Sequence, residues 1–215
     1  MRTIYCISGL AADERAFAGL QIEGYRLTFL PWIIPHPNES IADYAGRMKQ
    51  GIVEANPILM GLSFGGMMCI EIAKLMQVEK LILISSIRTR AELPWWMKAA
   101  GAMRLDRVVP LRSSGLTEPI QNRFIGVTNR QELEMVRAYR RNAPQPYVNW
   151  AIDQVLRWKN EWQPGNLFQI HGGADRMFPI KNVSPTHVIP NGGHLMIINK
   201  AAEVNAALKQ ILGKP

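Results

Sequence analysis

Cysteine and histidine are scarce in this 215-residue chain, which has two of the first and four of the second. Cys6 and Cys69 lie far apart in apolar surroundings. That excludes a disulfide framework and a cysteine-based metal site, and leaves buried thiols of the kind a reducing compartment preserves. No apolar run approaches the roughly 18 residues needed to span a bilayer. The opening MRTIYCISGL has too short an apolar stretch for a leader and reads as a strand, so the expected location is cytoplasmic. Low-complexity tracts, internal repeats and nucleic-acid-binding motifs are also lacking, which leaves a single globular domain, residues 1–215, with room for one inserted subregion. With so few histidines, any chemistry that needs an imidazole base has to choose among four positions.

What the chain does have is basic charge, a formal +8, and it is unevenly placed. Residues 88–163 carry 13 Lys and Arg against 7 Asp and Glu, a net of +6. Such a patch can meet nucleic acid, a membrane surface or an acidic substrate. Without an accompanying motif it reads as a solvated helical surface.

Short runs rich in β-branched and aromatic residues at 3–7, 25–30, 57–60, 80–85, 167–171 and 186–189 predict six strands. Helical periodicity falls between them: from Ser40, a candidate N-cap, to about residue 53, then at 65–77 and 200–212. Strands that alternate with helices and are apolar almost throughout belong in a parallel sheet covered on both faces. The expected architecture is therefore a three-layer α/β sandwich with a mostly parallel sheet of about six strands. Residues 88–163 break the alternation, with helical stretches at 130–141 and 147–162 and no convincing strand, so they form an all-helical insertion between the fourth and fifth strands. Most of the tryptophans there are expected to pack on the main domain, and Trp95, Trp96 and Trp150 are the candidates for a substrate pocket.

Between the third strand and its helix runs Gly-Leu-Ser-Phe-Gly-Gly, residues 61–66. A plain glycine turn that happens to contain a serine is one reading. The other is a nucleophile elbow, in which Ser63 sits in a strained turn and its neighbours two before and two after must be small. A serine hydroxyl needs a base, and the base an orienting acid. His36 lies in a proline-rich loop, His171 ends a strand where donation to backbone is the simpler role, and His187 sits within a short strand. His194 follows Asn191-Gly192-Gly193 after the last strand, where glycines let a loop carry an imidazole over the strand ends. Asp175, in HGGADRMFP just past the fifth strand, is the candidate acid at that same edge. The oxyanion donors would be the N–H of Phe64, next to the nucleophile, and that of Leu10 in the turn after the first strand.

With these residues in hand, ISGL, GLSFGG, HGGADRMFP and GGHL in the order Ser63, Asp175, His194 resemble the α/β-hydrolase superfamily over nearly the whole chain. The resemblance implies Ser63 as nucleophile, His194 as base, Asp175 as acid, and Leu10 and Phe64 as oxyanion donors. It makes residues 88–163 the cap that this family inserts between core strands six and seven. It also implies that the usual leading antiparallel strands are missing, and an exposed sheet edge of that kind leaves a homodimer open. Ser8 stands where the family often has histidine. The implied activity is hydrolysis of a carboxylic ester or thioester through an acyl-enzyme, on a small apolar or aromatic substrate, with no metal, organic cofactor or nucleic-acid partner. The alternatives are amide or C–C cleavage or a lyase reaction on the same triad, and a non-catalytic receptor or scaffold on the same fold.

Overall fold

The computed structural model describes residues 1–104 and 117–213. Six strands are formed among them: β1 (Arg2–Ile7), β2 (Tyr25–Phe29), β3 (Ile58–Leu62), β4 (Lys80–Ile84), β5 (Leu167–Gly172) and β6 (His187–Ile189). They make one sheet in the order β2-β1-β3-β4-β5-β6, and all five pairings are parallel. Strand order reverses between β1 and β3, and the crevice at the carboxyl ends of strands at such a switch point is where open α/β sheets place their ligands.

The apolar strand runs follow from burial on both faces. On one face Tyr5, Ile7, Leu59, Leu81 and Leu83 pack under α1 (Ile41–Met48) and α2 (Phe64–Ala73). On the other, Ile4, Cys6, Ile58, Met60, Ile82 and Ile84 meet Phe17, α7 (Met196–Asn199) and α8 (Ala201–Leu212). The period-2 alternation of side chains along each strand divides the two clusters. All ten residues of α2 are buried, so this helix is apolar on every side and lies at the centre of the fold. Ser40 caps α1 by accepting the Asp43 N–H at 3.1 Å, as its position in the sequence predicts.

Between β4 and β5 the chain forms α3 (Trp95–Ala102), α4 (Glu118–Ile125), α5 (Arg130–Asn142) and α6 (Gln145–Arg157); residues 105–116 of the predicted insertion lie outside the described residues. Sequence periodicity carries the last helix to residue 162, but it ends at Arg157. There Trp158 turns inward and its indole N–H donates to Glu71 Oε1 on α2 at 2.7 Å, a bond that continued helix would not allow. Trp150 ties the same helix down through its Nε1, which donates to the Glu39 carbonyl at 2.8 Å, and through a stacked contact with Tyr44 at 4.2 Å.

The elbow depends on the absence of side chains. A Cβ on Gly65 would overlap the carbonyl oxygens of Ile7 and Ser8, and one on Gly61 would overlap the backbone of Gly65 and Gly66. These are backbone atoms of strands and a buried helix, which cannot move aside. Gly65→Ala is therefore expected to cost ~3 kcal/mol or more, a drop in Tm of about 6–12 °C for a chain of this size. Gly165→Ala, where a new Cβ meets nothing within 4 Å, is the control and should leave Tm unchanged. Thermal melts of the two variants check this.

Candidate active site

Ser63 joins β3 to α2 with φ 52° and ψ −118°, a left-handed conformation that costs a non-glycine residue about 1–3 kcal/mol. Three hydrogen bonds hold it there. Its N–H donates to the Ile84 carbonyl at 2.9 Å, and its carbonyl accepts from the Gly66 N–H at 2.9 Å and from the Ser86 hydroxyl at 2.6 Å. With the backbone fixed this way, the hydroxyl stands at the carboxyl end of the sheet.

The other parts arrive from neighbouring strand ends. Asp175 follows β5 and is almost fully buried. Its Oδ1 accepts the N–H groups of Met177 at 2.8 Å and Phe178 at 3.0 Å, which leaves Oδ2 for His194 Nδ1 at 2.8 Å. His194 follows β6. Its loop is laced to the Asp175 loop by the Gly173 N–H to the Ile189 carbonyl and the Ala174 N–H to the Gly192 carbonyl, both 2.9 Å. His194 Nε2 lies 2.9 Å from Ser63 Oγ. Because an ionised carboxylate only accepts, Nδ1 must carry the proton. Nε2 is then the acceptor, and the Ser63 hydroxyl donates to it.

Burial by itself would lift the Asp175 carboxyl. The charge and hydrogen bond of His194, with His171 and the Phe178 N–H, outweigh it and hold Asp175 below the ordinary carboxylate range. His171 is fully buried: its Nε2 donates to the Phe178 carbonyl at 2.7 Å and lies 3.6 Å from Asp175 Oδ2. Burial pushes its imidazole below its ordinary value, more than Asp175 raises it, and Nδ1 has no hydrogen-bond partner among the described residues.

The turn after β1 is pinned by Ser8. Its hydroxyl donates to the Ala12 carbonyl at 2.7 Å and accepts from Trp32 Nε1 at 3.0 Å. A Cβ on Gly9 would stand 3.6 Å from Ser63 Cβ, so this turn lies directly beside the elbow. Neither the Leu10 nor the Phe64 N–H donates to an acceptor among the described residues. Ser63, His194, Gly9, Leu10 and Phe64 all line one cavity of about 880 Å³ whose wall is largely apolar. A separate groove of about 860 Å³, lined by Arg123, Arg130, Arg176 and Lys200, contains neither Ser63 nor His194.

The sequence profile of the alpha/beta hydrolase family matches residues 20–207. This chain belongs to that family. No curated protein sequence matches it. Among solved structures, this hydrolase-family chain is similar to a thermophilic esterase from Thermogutta terrifontis at 18% identity and TM-score 0.71, covering 99% of this chain and 89% of that one. It is similar to an epoxide hydrolase from Bacillus megaterium at 15% identity and TM-score 0.70, covering 100% and 94%. A meta-cleavage product hydrolase from Pseudomonas fluorescens IP01 matches at 18% identity and TM-score 0.67, covering 99% and 90%. At these identities the likeness shows the fold.

Of the pocket tryptophans expected from the sequence, Trp96 lines the cavity and the other two do not. Trp95, one position away on the first turn of α3, is 79% exposed. Trp150 is used up in tying α6 to the core. Ser86 was missed because a serine that fixes a carbonyl across the sheet has no local signature. Among the described residues no group of three or more His, Cys, Asp or Glu could hold a metal, and no helix is long and apolar enough to cross a membrane.

A buried, neutral His171 gives stability a sign with pH. The unfolded chain takes up a proton near pH 6.5 that the folded imidazole refuses, so His171's contribution is complete above that pH and is lost as pH falls below it. Asp175, held below its ordinary value, adds a second loss as pH falls below about 4. Melting wild type and His171→Gln between pH 8 and pH 5 should show a fall for wild type below about pH 6.5 and a flatter profile for the variant.

Proposed function

We propose that this chain is a serine hydrolase that cleaves a carboxylic ester or thioester with Ser63 as nucleophile, His194 as base and Asp175 as acid. The observation that supports this most directly is the unbroken line of hydrogen bonds from Asp175 through His194 to Ser63, ending on an apolar cavity. His194 Nε2 takes the proton as Ser63 Oγ adds to the carbonyl carbon, and Asp175 steadies the imidazolium that forms. The Leu10 and Phe64 N–H groups, unused by the fold, receive the oxyanion, helped by the amino terminus of α2. Collapse of the tetrahedral intermediate expels the alcohol or thiol, which is protonated by His194. Water, deprotonated by the same imidazole, then releases the acid. Side chains and backbone of this chain supply every step.

On this reading residues 88–163 act as a cap that closes the cavity over Ser63, and the buried thiols Cys6 and Cys69 accord with a cytoplasmic setting. The esterase among the structural neighbours favours acyl transfer to water. A meta-cleavage product hydrolase stands among the same neighbours, and C–C or amide cleavage on the same triad is the alternative reading.

A fluorophosphonate probe should label wild type and fail to label Ser63→Ala or His194→Ala. Asp175→Asn should lower kcat by about 10⁴-fold on whichever ester is turned over, because it favours the wrong imidazole tautomer. Folded wild type that resists the probe would bring a non-catalytic receptor to the front.

A further inference from the structure

Two histidines stand in or beside the site, and the chemistry above uses one of them. The other, His171, belongs to β5, where its backbone pairs with Val188 of β6. Its imidazole is therefore carried by the sheet and not by the loop that follows. The ring is fully buried, and its Nε2–H donates to the Phe178 carbonyl at 2.7 Å. Phe178 in turn donates its N–H to Asp175 Oδ1 at 3.0 Å and sets its ring edge-on to the His194 imidazole, 5.5 Å between centroids. Phe178 thus touches both Asp175 and His194, and His171 holds Phe178. The next residue is Pro179, so the peptide between them has no N–H and its carbonyl is the only group by which a hydrogen bond can hold it.

Filling space does not require an imidazole here. A phenyl or isobutyl group would occupy the same interior without burying Nδ1, which has no hydrogen-bond partner among the described residues. An unpaired buried nitrogen is costly, so what the imidazole adds is the Nε2 donor. That donor lies 3.6 Å from Asp175 Oδ2, beyond hydrogen-bond reach, which leaves the oxygen to His194 Nδ1 at 2.8 Å. We propose that His171 is a positioning residue for the triad: its Nε2–H fixes the Phe178 peptide, which sets Asp175 Oδ1 and the His194 ring. The effect on rate rests on the Ser63 reading; the hold on the Asp175–His194 pair does not. Position 171 then needs a donor at the Nε2 place and not an aromatic ring. Glutamine supplies one, as its amide nitrogen is as many bonds from the backbone as Nε2, whereas phenylalanine keeps the ring and loses the donor.

The test compares wild type, His171→Gln and His171→Phe, each confirmed folded by thermal melt, with His171→Leu standing in if the phenylalanine variant does not fold. Two quantities are read: the rate constant of fluorophosphonate labelling, and the proton resonance of His194 Nδ1. A short bond to a buried carboxylate moves that resonance far downfield, and its loss in His194→Ala assigns it. His171→Phe should label roughly 10- to 100-fold more slowly, up to the cost of displacing a catalytic group by about an ångström, and its downfield resonance should move or vanish. His171→Gln should keep both close to wild type. An unmoved resonance in His171→Phe, an unchanged labelling rate in it, or a glutamine variant as impaired as the phenylalanine one each overturns the proposal. If wild type is not labelled, the resonance decides alone. Its loss in His171→Phe and survival in His171→Gln uphold the positioning role while the Ser63 reading fails. If neither apolar variant folds, His171→Gln decides: a resonance kept there upholds the donor, and a resonance lost overturns it.

Discussion

Ser63 is held in a backbone conformation that serine disfavours, at a point where β1, β3 and α2 approach too closely for side chains. The strain is small beside what surrounds it. Ten consecutive buried residues of α2 and the apolar strand faces supply far more burial than one left-handed residue costs, at about 25 cal/mol per Å² of apolar surface. The turn cannot relax without pulling α2 off the sheet. A proposed nucleophile is therefore kept in place by the hydrophobic core itself, with Ser86 closing the last degree of freedom from the end of β4.

The polar parts obey a different economy. Asp175 is nearly inaccessible to water, yet two backbone N–H groups and His194 satisfy it, so it stays ionised and fixes the imidazole tautomer. Arg140 is the contrary case, a largely buried charge that meets the Glu118 carboxylate at 3.8 Å and whose terminal nitrogens have no hydrogen-bond acceptor among the described residues.

Much of this was legible in the sequence. Six strands, the elbow and the Asp175 and His194 loops carry local signals: apolar runs, glycines at fixed offsets, and a histidine after Gly-Gly. The helical insertion was legible in outline, but α3 and α4 were not, since each is only eight residues long and α4 has no buried residues to set a period. The tryptophans show the limit most clearly. Trp95 and Trp96 are adjacent and chemically identical, and which one meets the cavity is set by the rotation of α3 on α6.

The aromatic contacts under α6 divide the insertion into two kinds of surface. Phe64, the residue after Ser63, stacks on Trp32 at 5.1 Å and meets the edge of Trp150, which in turn stacks on Tyr44. Substitutions along that face of α6 disturb the elbow as well as the cavity wall, so there specificity and folding cannot be varied independently. On α4, which has no buried residues, the cavity-facing Ile120 and Phe124 stand outside that aromatic cluster, and Phe124 meets the edge of Trp96 on α3 instead. A lineage exploring new substrates has its freedom on that helix, while α6 changes only at the risk of the fold.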